Sequence, residues 1–539
     1  MTDALRHHRG LPSGAYKDPF LFAMLSFALP GLLATSLIGL GAIGVGWLPL
    51  DASLYDSDIV DTIRNTTAGT WLSRLMVFFG VGLLLQTWLV LGSDLNAGLQ
   101  MRFSTSAGVL AAWTIPLLLV PPLFSRDVYS YFAQGRLLAE GYDPYSTGVS
   151  ELPDWFVQGV DPLWGETPSP YGPLFLIFAR GVAALAGDSV FLGALLFRLF
   201  AVAGVIAMLY LVPRLAAYHG IDGTKAIWLT VLNPLVIMHF VAGAHNDAVM
   251  VALILAGFAL ASRGSILWGA SMIALAASIK PIAIVALPFI GIMRHPRDWT
   301  WRQRIGDWAL VTVVAGGVFF LTAVLAGLDF GWVQAFSTPG AVKTWLSPMT
   351  ALGMIVGFVT QWVGWTETND AAVAVFRTIG IAISVVICTY LAIKPQGRSG
   401  TRGAGLVIMT IVILGPVVQP WYLLWFIPLL VVTGLRRRPM QVLIIATAAL
   451  SVHGMVDGSA TSDAVLEFSN GVSVIIAVAF VAAILLLSPR ERRLMLDQDT
   501  AEALLPETPA QHEAAAASLI GPPQRPQQGE HRTSGHLPP

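Results

Sequence analysis

Between residues 20 and 488 the chain consists of hydrophobic runs, many of them near bilayer length, joined by short polar connections. This pattern constrains the fold more than any other feature. A run of ~20 apolar residues satisfies its own backbone as a helix in lipid, and a series of such runs in water has nothing to cover it. Of 539 residues, 55% are hydrophobic and 12% charged, whereas soluble domains carry about 25% charged residues. The pattern predicts an all-α, polytopic integral membrane protein, and it overrides the three or so soluble domains that length alone suggests.

Apolar runs fall at 20–47, 71–92, 107–124, 190–212, 226–242, 247–262, 266–279, 281–293, 308–328, 371–393, 403–418, 421–434, 440–454 and 472–488. Two further segments, 172–187 and 348–364, are ambiguous, because each follows a Pro-containing polar stretch. The distribution of basic residues decides between the topologies. If neither segment spans, Arg214, Lys225, Arg294, Arg297, Arg302, Arg304, Lys394, Arg398, Arg402, the Arg436-Arg437-Arg438 run, Arg490, Arg492 and Arg493 all lie on the cytoplasmic side. If both span, many of these lie outside. The first arrangement gives about 14 transmembrane helices with both termini cytoplasmic.

The first apolar run follows Arg6, Arg9 and Lys17, exceeds a signal-peptide core and lacks a clear cleavage site, so a retained first helix is expected. Residues 1–18 then form a cytoplasmic N-terminal segment, 19–489 the transmembrane domain, and 490–539 a disordered cytoplasmic tail rich in Pro, Gln and Ala. Cys388 is the single cysteine, so no intrachain disulfide is possible. Lys plus Arg total 31 and Asp plus Glu 32, a balance that marks no nucleic-acid partner. No Walker-type loop, Gly-rich dinucleotide fingerprint or paired-His zinc helix is present. No convincing internal repeat is present either, which disfavours a transporter.

Charged groups at the ends of spans are functional candidates, because they are expensive at membrane depth. The first is Arg126-Asp127, after the run at 107–124. A carboxylate there reaches both water and lipid headgroups, as a general base requires; alternatively it pairs with Arg126 and only ends the helix. The second candidate is Gly141-Tyr142-Asp143-Pro144-Tyr145 together with Pro168-Ser169-Pro170-Tyr171-Gly172-Pro173, which turn chemistry also explains. The third is His245-Asn246-Asp247, read as a tight outer turn between two spans. It suits a sugar, a phosphate or a divalent metal, and a helix cap explains it equally well. Lys280-Pro281 offers a point charge for a phosphate, or a lysine snorkelling to the headgroups. Gln419-Pro420-Trp421-Tyr422 offers an amide and rings for sugar stacking, or an interfacial aromatic belt. In the preferred topology all five converge on the outer face.

These stretches resemble the polyprenyl-phosphate-sugar-dependent glycosyltransferases of the GT-C fold, and more narrowly the actinobacterial α-(1→6)-mannopyranosyltransferases of lipomannan and lipoarabinomannan synthesis. The likeness rests on Arg126-Asp127-Val128-Tyr129-Ser130-Tyr131 with Gly135, Gly141-Tyr142-Asp143-Pro144-Tyr145, Pro170-Tyr171-Gly172-Pro173, His245-Asn246-Asp247-Ala248 and Lys280-Pro281, and it covers roughly 20–490. The family commonly carries Asn where this chain has Asp143.

The resemblance implies a GT-C polytopic bundle whose long first external loop carries interfacial helices. Asp127 would be the catalytic base and Asp247 the second acidic site. Arg126, Lys280 and His245 would hold the donor phosphate, and Tyr129, Tyr145, Tyr171, Asn246, Gln419 and Trp421 would line the sugar groove. The implied donor is polyprenyl-phosphate-mannose, the acceptor a lipid-anchored mannan, and the location the plasma membrane with the site on its outer face. No cofactor is required, and a divalent metal is permitted by His245 and Asp247. The competing expectations are a transporter or flippase of a lipid-linked sugar, a polytopic scaffold without chemistry, and a GT-C enzyme for another sugar such as arabinofuranose.

Overall fold

The computed structural model describes residues 18–295, 299–329, 331–332, 340, 342–365, 369–394, 399–457 and 504. Among these the regular elements are helical, apart from an isolated bridge between Leu435 and Leu504. Five helices are long and apolar enough to cross a membrane: Pro19–Val45, Thr67–Asn96, Val190–Tyr218, Trp301–Ala326 and Asp370–Ile393. A sixth span results if the bent pair Val236–Ala242 and Asp247–Ser262 is counted as one. Other segments expected to span are shorter apolar helices of 10–17 residues, such as Phe103–Leu117, Ile266–Ala277, Pro281–Ile292 and Gly400–Leu414. The segments 172–187 and 348–364 form helices Pro173–Ala186 and Pro348–Trp362, of 14 and 15 residues. The N-terminal segment up to residue 17, the run at 472–488 and, apart from Leu504, the tail at 490–539 lie outside the described residues.

The site is positioned by six of these helices: α1 (Asp127–Ala139), α2 (Pro173–Ala186), α3 (Val190–Tyr218), α4 (Asp247–Ser262), α5 (Ile266–Ala277) and α6 (Trp301–Ala326). Small residues set how closely they approach, as membrane helix packing requires. A Cβ on Gly135 would lie 2.2 Å from the carbonyl oxygen of Ala179, so α1 rests directly on the backbone of α2. Before α2, a Cβ on Gly172 would lie 2.5 Å from the carbonyl of Ser278. That approach lets the Gly172 N–H donate to Ile279 O and the Phe175 N–H to Ser278 O, both at 3.0 Å. The Pro170–Pro173 turn is thereby clamped to the strand-like residue Lys280, which follows α5 with φ −139° and ψ 115°.

The region 226–242 departs from the expected span. It holds an eight-residue helix, Gly223–Thr230, then Asn233-Pro234, then a π-helical segment, Val236–Ala242. Pro234 lacks the N–H that would continue the helix and its ring clashes with the carbonyl of Thr230. Asn233 stabilises the break, accepting the Leu235 N–H at 2.9 Å and donating to Leu229 O at 3.0 Å. After Ala244, at φ +55°, the chain turns by 111° into α4. His245-Asn246-Asp247 is thus a buried break within a bent helix pair and not an exposed turn: all three residues are at most 1% exposed.

Candidate active site

Asp127 is the first residue of α1 and its backbone N–H donates to Ser125 Oγ at 3.1 Å. A helix N-terminus favours negative charge, yet burial pushes the Asp127 carboxyl up from 3.8 to about 6, opposed by the positive charge of Lys280 and reinforced by Asp247. Its side chain keeps 23% of its surface open. Arg126 points elsewhere. Its Nε donates to Asp161 Oδ2 at 2.9 Å, and its guanidinium lies 4.6 Å from the centre of the Trp47 ring. The adjacent Arg126 and Asp127 therefore serve different partners.

The second half of the site comes from the helix break and the start of the segment after α5. Asp247, fully buried, accepts from Lys280 Nζ on both oxygens, at 2.8 and 2.9 Å, and from the Trp425 indole N–H at 2.6 Å. His245 lies between the two acids, with Nδ1 3.7 Å from Asp127 Oδ2 and 3.9 Å from Asp247 Oδ2, and 3.3 Å from the Tyr131 hydroxyl. Trp421 stacks on the His245 ring at 4.0 Å. Lys280 lies 5.2 to 5.7 Å from the centres of the Tyr171, Tyr422 and Trp425 rings, an aromatic cage for its charge. With Asp247 taken up by an ammonium, the donor set does not favour a cation, and among the described residues no three metal-ligating side chains are placed to hold one.

The two halves are tied by Arg198 in the middle of α3. It is 2% exposed and donates to four carbonyls: Leu118 and Val120, on the approach to Asp127, and Val241 and Ala242, on the approach to His245, at 2.7 to 3.2 Å. An arginine within a span is costly unless its donors are satisfied internally, and here broken backbone supplies the acceptors.

Asp127, Lys280, Tyr171, Gln419 and Trp421 line one cavity of about 150 Å³, together with Ser130, Gln134 and Trp425. Pro281 also lines an apolar cleft of about 430 Å³ between the Ala277–Pro288 segment and α6, walled by Ile284, Trp308, Val311 and Phe319. Other residues considered for the groove stand apart. The Tyr129 hydroxyl donates to the Trp47 carbonyl at 2.7 Å, and Tyr145 packs with Leu138 and Leu176. Asn246 is buried and, among the described residues, has no hydrogen-bond partner on either amide atom. Asp161, Arg198, Ser130, Gln134 and Trp425 were not singled out from sequence. Ser130 and Gln134 carried a signal there, their helical spacing from Asp127, and so did Arg198, a charge inside the apolar run 190–212.

Both halves of the site fall within regions matched by family models. Residues 28–296 match "Alpha-(1->6)-mannopyranosyltransferase, N-terminal domain", and residues 349–488 match "MptB C-terminal domain". Alpha-(1->6)-mannopyranosyltransferase A of Mycobacterium tuberculosis is 33% identical over 441 residues, covering 80% of this chain and 84% of that protein. The chain belongs to this family. A probable alpha-(1->6)-mannopyranosyltransferase of Mycolicibacterium smegmatis is 33% identical, over 76% of this chain and 79% of its own length. Alpha-(1->6)-mannopyranosyltransferase B of Corynebacterium glutamicum is 30% identical, over 74% and 71%. No solved structure matches. Asp127, His245, Asp247 and Lys280 lie in the region of this chain matched by the N-terminal model, and Gln419, Trp421 and Trp425 in the region matched by the C-terminal model.

Proposed function

We propose that the chain is an α-(1→6)-mannosyltransferase that uses a polyprenyl-phosphate-mannose donor and a lipid-anchored mannan acceptor. The observation that carries this reading is the junction at Pro281. Pro281 is shared by the walls of a small cavity lined by a carboxylate and an ammonium and of an apolar cleft suited to a lipid chain. A sugar joined to a lipid by a phosphate has this sequence of chemistries: hydroxyls, anion, hydrocarbon.

In the reaction, the acceptor 6-hydroxyl attacks the anomeric carbon of the donor and gives its proton to the Asp127 carboxylate. The bond from that carbon to the phosphate oxygen breaks as the new bond forms, and the polyprenyl phosphate leaves with the electron pair. Lys280, oriented by Asp247, offsets the charge on the phosphate, and a charge aimed in this way is often the largest catalytic contribution. A single displacement converts a β-linked donor to an α-mannoside. Because Arg126 is held by Asp161, phosphate binding is assigned to Lys280. His245 supports both acids from behind, and Gln419, Trp421 and Tyr171 contact the sugar.

The site is assigned to the outer face of the plasma membrane. Arg263 precedes α5 and Arg294 follows the Pro281–Ile292 segment, whereas Lys280 lies at the turn between them. The basic residues at the far ends mark the cytoplasmic side.

The test is transfer in liposomes containing the purified chain, with polyprenyl-phospho-mannose and a short α-(1→6)-mannoside. Formation of a mannoside one unit longer is expected. Transfer only from a lipid-linked pentose, or movement of donor across the bilayer without product, overturns the reading.

A further inference from the structure

The cavity-facing side of α1 continues beyond Asp127. Asp127, Ser130 and Gln134 are spaced three and four residues apart, which places them on one stripe of a helix, and all three line the same cavity. The helical rise sets Ser130 about 4.5 Å and Gln134 about 10.5 Å along the axis from Asp127.

Ser130 is 4% exposed, and its hydroxyl has no hydrogen-bond partner among the described residues. Buried hydroxyls are ordinarily bonded, so one left open in a cavity wall is positioned for a ligand or water. Gln134, 5% exposed, is oriented by a short chain of donors. The Tyr171 N–H donates to Ser169 Oγ at 3.4 Å, and the Ser169 hydroxyl donates to Gln134 Oε1 at 2.8 Å. The carbonyl end of the amide is thereby occupied, which leaves the NH₂ as the end offered to a ligand. Trp164 and Tyr171 add ring surface to the same wall.

We propose that Ser130 and Gln134 form an acceptor subsite that reads the hydroxyls of the growing mannan, Ser130 at the terminal mannosyl unit and Gln134 at the next unit back. The assignment rests on the transferase reading above. In an in-line displacement the acceptor oxygen and the leaving phosphate lie on opposite sides of the anomeric carbon. The phosphate belongs to Lys280 and the acceptor hydroxyl to Asp127, so the stripe that extends from Asp127 serves the acceptor. The hydroxyl of Ser130 both donates and accepts, and the amide of Gln134 donates, which suits sugar hydroxyls.

The experiment uses the full chain in liposomes with polyprenyl-phospho-mannose and α-(1→6)-mannoside acceptors of one, two and three units. Wild-type transfer is measured first, and its absence counts against the transferase reading and not against the subsite. With an active wild type, Gln134→Leu raises KM about tenfold for acceptors of two and three units, the effect of about one lost hydrogen bond. It leaves KM for the one-unit acceptor and for the donor unchanged. Ser130→Ala raises KM for all three acceptors. A merely structural role for Gln134 would not distinguish acceptor lengths. Equal losses at every length, a rise in donor KM instead, or unchanged acceptor KM in both variants overturns the proposal. If Gln134→Leu does not fold, Ser169→Ala, which releases the amide, carries the same length-dependent test.

Discussion

The ammonium of Lys280 bonds both oxygens of Asp247, at 2.8 and 2.9 Å, while keeping 15% of its own side chain open towards the cavity. Asp247 has no exposed surface. Without Lys280 it would be a buried carboxylate held only by the Trp425 indole and the neighbouring imidazole. Removing one partner of a buried pair costs about 3–5 kcal/mol. Lys280→Met is therefore expected to lower stability by about that amount in detergent unfolding and to abolish transfer. Lys280→Met with Asp247→Asn is expected to regain stability without regaining activity. A double variant no more stable than the single would show that the charge pair is not the source of the loss.

The carboxyl of Asp127, raised to about 6 by burial, gives a pH dependence of defined sign. The base works when deprotonated, so the rate is expected to fall as pH drops through about 6. Stability runs the other way. The folded state binds the Asp127 proton more tightly than the unfolded state, so the contribution of this carboxyl to stability is greatest at low pH and declines as pH rises from 3.8 through about 6. The rise from 3.8 to about 6 corresponds to about 3 kcal/mol. Asp127→Asn should thus be inactive yet more stable than wild type at pH 7.5, with the advantage shrinking below about 6. Thermal unfolding across pH measures this, and a variant less stable than wild type at neutral pH would contradict it.

Arg198 connects the two chain segments that deliver Asp127 and His245. Arg198→Ala removes the guanidinium donor from the Leu118 and Val120 carbonyls, while Val241 and Ala242 keep the Ala244 and Leu123 N–H donors at 3.3 and 3.4 Å, and each buried group left unsatisfied costs about 1–3 kcal/mol. Loss of folded protein is expected. Arg198→Lys keeps the charge but lacks the planar fork, so it should fold and show a lowered kcat with nearly unchanged donor KM. Wild-type kcat in Arg198→Lys would show that the tie does not align the acids.

What was readable in the sequence follows from the range of each interaction. Asp127, the His245–Asp247 stretch and Lys280 were recognisable because charged residues interrupting apolar runs are rare and because topology placed them on one side. Ser130 and Gln134 lay within reach of helical spacing from Asp127. The partner of Arg126 was not readable, because Asp161 is 35 residues away. The break at Asn233-Pro234 was hidden in an apolar run, since hydropathy does not register the lost N–H of Pro234. Arg198 binds only backbone carbonyls, and no pattern of side chains announces that. Span length was overstated at 107–124, where the apolar helix Phe103–Leu117 ends before Pro121 and Pro122.

The apolar cleft offers a test of donor recognition that leaves the polar cavity untouched. Gly316 lines the cleft from α6, and a Cβ built on it meets nothing within 4 Å. A larger side chain there projects into open space, and replacing glycine within a helix adds about 0.8–1.0 kcal/mol of helix propensity for the best formers. Gly316→Leu is therefore expected to fold at least as well as wild type while filling part of the cleft. If the cleft takes the lipid of the donor, KM for a long-chain polyprenyl-phospho-mannose should rise several-fold, with kcat and acceptor KM preserved. A donor with a lipid too short to enter the cleft should be used equally by both proteins. The difference between the two donors is the quantity to measure, because general damage to the site would slow both. Equal response to long and short chains would place the donor lipid elsewhere on the protein.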